Sequence, residues 1–224
     1  MESDLPPAPE NNPSNPEKDP SAVYSQPFHN QPVAARVPEK MGRGVFTTGV
    51  LIQDGPNEFV LDFLQALSRP PQVACRVVLA PQVMNALVGT LNDNLNKYIQ
   101  TYGPPAPLPR AQPPVNRPSI AEIYENLKLP EDLWSGVYAN SVLIGHAPAE
   151  FFMDFITGFF PTAAVSARIF MSAQQAPRVL ETLRMSLQQY QRRIAGQQQQ
   201  PPIIGQPPEP PLQPPFSPPN PPVE

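Results

Sequence analysis

Shifted against itself by 92 residues, the 224-residue sequence matches without gaps from 44–102 to 136–194, with 17 identities in 59 positions. Unrelated chains would agree at roughly 6% of positions. Gly44-Val45 meets Gly136-Val137, and Val50-Leu51-Ile52 meets Val142-Leu143-Ile144. Pro56-x-Glu58-Phe59-x-x-Asp62-Phe63 meets Pro148-x-Glu150-Phe151-x-x-Asp154-Phe155. Val73, Arg76, Gln82, Thr90, Leu91, Leu95 and Tyr98 recur as Val165, Arg168, Gln174, Thr182, Leu183, Leu187 and Tyr190. A repeat of this kind means two copies of one structural unit, so one uniform 224-residue globule is not expected.

Proline marks the same boundaries. Of 36 prolines, 29 lie outside the two matching windows. Proline removes a backbone donor and is kept out of helix interiors and central strands. The predicted organisation is a disordered Pro-rich arm (1–43), a first repeat (44–103), and a Pro-rich linker with one short helix (104–135). A second repeat (136–195) and a disordered Gln/Pro-rich tail (196–224) complete it. In the linker, Ser119 and Glu122 have capping-box spacing ahead of a helical stretch ending near Leu127.

Within each repeat the apolar period changes from two to nearly four. Residues 45–53 (137–145) read as a first strand rich in Val, Ile, Thr and aromatics, ended by a turn at Pro56 (Pro148). Residues 58–66 (150–158) form a second strand, with Phe59, Leu61 and Phe63 (Phe151, Met153, Phe155) on one face. Residues 73–79 (165–171) form a third. Then Met84, Leu87, Leu91, Leu95 and Tyr98, and in the second copy Ala176, Val179, Leu183, Leu187 and Tyr190, recur at helical steps. Pro81 and Pro177 fall in the first helical turn, where proline is tolerated. The expected class is α+β: a duplicated β-β-β-α unit, with antiparallel sheet packed against two long amphipathic helices. The copies are expected to pair along their sheet edges as an internal pseudo-dimer.

The repeated residues resemble an uncharacterised family of small bacterial proteins that share a domain of unknown function. The second copy carries its Tyr138-Ala139-Asn140, Pro148-x-Glu150-Phe151-x-x-Asp154-Phe155 and Arg168-x-x-x-Ser172 pattern. The first copy keeps the Pro-x-Glu-Phe run, Arg76, Pro81 and the Tyr102-Gly103 end, but has Phe46-Thr47-Thr48 in place of Tyr-Ala-Asn. The resemblance covers about half the chain and implies no activity.

The chemistry available is sparse. One cysteine, Cys75, and two histidines, His29 and His146, exclude disulfides, cysteine-based metal clusters and His-rich sites. Glu58 and Asp62 lie about 13 Å apart if both sit on one strand, too far for a working carboxylate pair. Asp62–Arg76 and Asp154–Arg168 are instead expected to be cross-strand structural pairs. Cys75 alternates onto the apolar face and reads as an inert buried thiol. His146 reads as a solvated turn residue, and Asn140 and Thr48 as groups that satisfy a backbone partner. No catalytic, cofactor or metal residues are assigned, so an enzyme is not expected.

Net charge is −4, which argues against a general nucleic-acid binder. Only the second copy is mildly basic, and Arg178, Arg184, Arg192 and Arg193 on its helix are the candidate anion or nucleic-acid contacts. Most aromatic residues fall on positions of core type, whereas a single-strand binder needs exposed ones. The expected role is a non-enzymatic protein-interaction or assembly module, with protein partners reached in part through the Pro-rich tail. Two alternatives stand beside it: a single-stranded nucleic-acid binder of PUR or Whirly layout, and a SecB-like chaperone. The first residues show no secretory signal and no stretch reads as a membrane span, so a cytoplasmic protein, with oligomerisation open, is expected.

Overall fold

The first strand of each copy breaks in two, and the break decides the architecture. The computed structural model describes residues 35–109, 118–159 and 162–198. The arm and tail readings therefore fall mainly outside the described residues. In chain order the elements are α1 (Glu39–Gly42), β1 (Val45–Phe46), β2 (Gly49–Asp54), β3 (Phe59–Gln65), β4 (Gln72–Leu79) and α2 (Pro81–Tyr102). The linker helix α3 (Ile120–Glu125) and a single 3-10 turn (Glu131–Leu133) precede β5 (Val137–Ala139). Then follow β6 (Ser141–His146), β7 (Glu150–Thr157), β8 (Ala164–Ser172) and α4 (Ala176–Gln198).

The continuous strands expected at 45–53 and 137–145 are thus corrected to two pieces each. The short first piece joins the other copy's sheet. β1 pairs in parallel with β8, and β5 pairs in parallel with β4. The result is two four-stranded sheets, ordered β1-β8-β7-β6 and β2-β3-β4-β5. Both are mixed rather than purely antiparallel, because the exchanged strand enters in the direction of its host. The switch takes one residue: the Thr47 N–H donates to the Phe170 carbonyl at 2.7 Å in one sheet, and the Thr48 N–H to the Leu64 carbonyl at 2.8 Å in the other. The Thr47 side chain is fully buried at this crossing, its hydroxyl 2.7 Å from the Gly49 carbonyl and 2.9 Å from that of Leu64.

Gly44 and Gly136 precede the exchanged strands at φ 59° and 66°, a left-handed conformation that costs other residues free energy. A Cβ at Gly44 would also lie 2.6 Å from the Phe170 ring, and one at Gly136 2.7 Å from Arg76 Cγ.

The helices are exchanged as well. α2 lies against β6, α4 lies against β2, and the two helices pack on each other. Tyr98 near the end of α2 donates to the Pro148 carbonyl at 2.8 Å and meets the Phe151 ring at 5.2 Å. Tyr190 on α4 donates to the Pro56 carbonyl at 3.1 Å and meets Phe59 at 5.0 Å. These repeated residues form two equivalent locks between copies. Equivalent residues also meet each other: Phe63 and Phe155 at 5.5 Å, and Arg184 with Asn92 at 2.6 Å. Self-contact of this kind is the mark of a two-fold arrangement. One core, built from Phe59, Leu61, Phe63, Phe151, Met153, Phe155 and the inner faces of both helices, fills the space between.

Candidate interaction surface

Period-2 alternation leaves each sheet with an outer face turned away from this core. At the centre of each lies the ion pair expected from the spacing. Arg76 donates to Asp62 through Nε at 2.7 Å and Nη2 at 2.8 Å. Arg168 binds Asp154 in the same way, at 2.7 Å through each nitrogen. Each carboxylate holds its guanidinium's pKa above the usual value, chiefly through these hydrogen bonds. The pairs are bidentate, which fixes the register of the second and third strands.

Beyond this shared centre the two faces differ. On β2-β3-β4-β5, the row beside the pair runs Gln53, Val60, Val78, Tyr138. The small valines leave room for the linker helix. α3 has the capping box read from sequence, with the Ser119 N–H donating to Glu122 Oε2 at 2.6 Å and the Glu122 N–H to Ser119 Oγ at 3.2 Å. Its Tyr124 hydroxyl donates to the Asp62 carboxylate and accepts from Gln53 Nε2 at 2.5 Å. Burial, and then the Asp62 charge, push the Tyr124 hydroxyl up to about 12.

On β1-β8-β7-β6, the corresponding row runs Phe46, Phe170, Phe152, Gly145. The Phe152 ring lies over Gly145, where any Cβ would strike it. Phe46 is 41% exposed, and Leu143, across from Asp154, is 49% exposed. The Asp154–Arg168 pair is the more open of the two, with side chains 8% and 22% exposed against 1% and 14% for Asp62–Arg76. The expectation that most aromatics point inward is corrected by this row. Phe152 and Phe170 stand out of phase with the core residues of their own strands, a signal already present in the alternation.

Other candidate residues take structural places. His146 is not a solvated turn residue: it ends β6 edge-on to Tyr98 at 5.7 Å and beside Phe151 at 5.4 Å. The copies differ here because the equivalent residue, Asp54, instead pairs with Arg193 at 2.5 Å. Thr48 and Asn140 do the same work, accepting from the N–H groups of Ala66 at 3.0 Å and Gly158 at 2.8 Å. Burial, with a smaller contribution from the Asp62 charge, pushes the Cys75 thiol up to about 12, which keeps it protonated.

Of the four candidate anion contacts, Arg184 is bonded to Asn92, and Arg193 to Asp54 and the Gly55 carbonyl at 3.1 Å. Arg178 and Arg192 line separate surface grooves. Among the described residues, no three His, Cys, Asp or Glu side chains gather into a group able to hold a metal. No helix among them is long and apolar enough to cross a membrane.

The fold defines a duplicated α+β protein in which two copies of one domain exchange their first strands and their helices. The chain belongs to the family described as protein of unknown function (DUF3467), whose model matches it twice, over residues 9–106 and 110–196. No curated protein and no solved structure matches the chain.

Proposed function

We propose that the protein is a non-enzymatic, cytoplasmic protein-interaction module that engages a partner through the outer face of β1-β8-β7-β6. The observation that supports this is the contrast between two equivalent faces. One is occupied by the chain's own linker helix, whose Tyr124 hydroxyl reaches the buried carboxylate. Among the described residues, the other presents Phe46 and Leu143 uncovered beside the equivalent pair, Asp154–Arg168. The linker helix on the first face supports a short amphipathic stretch as the kind of segment such a partner would present. Apolar residues grouped in this way are characteristic of a docking surface. The paired carboxylates support the non-enzymatic reading, since each is held by a bidentate arginine. The nucleic-acid alternative draws no support from the arginines of α4, two of which are committed within the chain.

The test is partner capture by crosslinking with the full chain, comparing wild type with a Phe46→Ser/Leu143→Ser variant. Both sites are exposed, so the fold should be retained. Loss of specific partners in the variant is the expected result. An unchanged partner set would overturn the assignment of this face, and loss only on deleting residues 199–224 would move the function to the tail.

A further inference from the structure

A groove of about 300 Å³ runs between the first turns of α4 and the edge of the β2-β3-β4-β5 sheet. Its floor is apolar: Val50, Leu64, Ala66 and Val179. Its rim is polar and belongs mainly to the second copy's helix. Gln175, immediately before α4, is only 7% exposed, yet its side-chain amide makes no hydrogen bond to the described residues. Its Nε2 lies over Gly49, which opens the groove because it lacks a side chain: a Cβ there would stand 3.9 Å from that nitrogen. Arg178 lines the same groove, with Thr48 and Thr182 beside it. Arg178 also borders a second cavity, which Glu181 lines together with Pro105–Pro109. The first turn of a 23-residue helix adds backbone N–H groups without helical partners and the positive end of its dipole.

We infer that this groove binds the C-terminal residue of a peptide, its carboxylate together with its apolar side chain. The carboxylate would sit between the Arg178 guanidinium and the Gln175 amide, exchanging the water that solvates these donors for charge-assisted hydrogen bonds. The apolar side chain would cover Val50, Leu64 and Val179. The volume suits one or two residues, not an extended chain. β2 is the edge strand of its sheet, so backbone groups for a terminal residue are at hand. The equivalent positions on α2 are Val83, Ala86 and Thr90, where no amide or guanidinium is present. Among the described residues there is therefore one such site and not two. The site is independent of the aromatic row on the other sheet.

Calorimetric titration of the full chain with acetyl-Ala-Leu-Val as the free acid tests this. The expected result is saturable binding of one equivalent, with no binding of the C-terminal amide. Arg178→Ala should weaken binding roughly tenfold or more, the effect of losing a charge-assisted hydrogen bond. Gly49→Val fills the groove without disturbing a residue of unusual backbone conformation, and should abolish binding with an unchanged circular dichroism spectrum. Phe46→Ser/Leu143→Ser should bind the peptide as wild type does, which separates this site from the proposed docking face. Absence of binding, two equivalents, equal affinity for the amide, or full affinity in Arg178→Ala would each overturn the inference. So would tighter binding of inorganic phosphate, or equal binding of isovalerate, which would assign the groove to a phosphate or to a small acid.

Discussion

Replacing Arg76 with methionine keeps the length and apolar body of the side chain and removes only its charge and its donors. The substitution strands the Asp62 carboxylate, whose side chain is 1% exposed, with the Tyr124 hydroxyl as its remaining side-chain donor. It also deprives the Trp134 carbonyl of the Arg76 Nη1 donor at 3.0 Å. Removing one partner of a buried pair costs about 3–5 kcal/mol, because the remaining charge is uncompensated. In a chain of this size that corresponds to a fall in Tm of roughly 10 °C. Arg168→Met should cost less, since its pair is more open to water, with side chains 22% and 8% exposed. A double variant, Asp62→Leu/Arg76→Met, should recover most of the loss, since it leaves no buried charge. Urea denaturation of the three variants at pH 7 measures these differences. A cost below about 1 kcal/mol for Arg76→Met, or equal costs for the two arginines, would refute the argument that burial of the carboxylate sets the magnitude.

Two further outcomes follow from the geometry. Gly44→Ala and Gly136→Ala should each lower stability by more than about 1 kcal/mol, since both glycines hold positive φ against an arginine side chain of the facing strand; urea midpoints check this. Stability should also fall as pH rises above about 9: Cys75 is raised from 9.0 and Tyr124 from 10.0, each to about 12, so the unfolded chain ionises first, and Cys75→Ala should flatten the lower part of that fall between pH 8 and 11.

The helices, the second and third strands, the linker helix with its cap and both ion pairs were legible in the sequence, because each rests on local periodicity or on fixed cross-strand spacing. The partition of the first strand was not. Val45 to Gln53 is a run of strand-forming residues interrupted only by Gly49, and one glycine can mark a bend without telling Thr47 that its N–H will serve one sheet and that of Thr48 another. That choice is made by tertiary geometry. The destination of the repeated tyrosines was hidden for the same reason. Tyr98 and Tyr190 lie on the buried stripes of their helices, but the carbonyl and ring that receive them belong to the other copy. His146 was misplaced because a turn position says nothing about the helix that packs over it.

The repeat also separates positions that hold the fold from positions that do something else, without reference to any other protein. Identical pairs cluster where the two copies need each other: Gly44/Gly136 at the strand exchange, Pro56/Pro148, Phe59/Phe151 and Tyr98/Tyr190 at the locks, Phe63/Phe155 on the axis, and the two ion pairs. A symmetric scaffold constrains these equally in both halves. Among the divergent pairs, two groups lie on surfaces. Val60/Phe152, Val78/Phe170 and Gln53/Gly145 form the row that the linker helix covers on one sheet. Val83/Gln175 and Ala86/Arg178 form the rim of the groove beside α4. Scaffold symmetry imposes no difference at either place. Buried pairs such as Thr47/Ala139 and Met84/Ala176 diverge too, so divergence points to a binding surface only where no contact between the copies explains it, and the aromatic row and the groove beside α4 are the two such places on which the proposals rest.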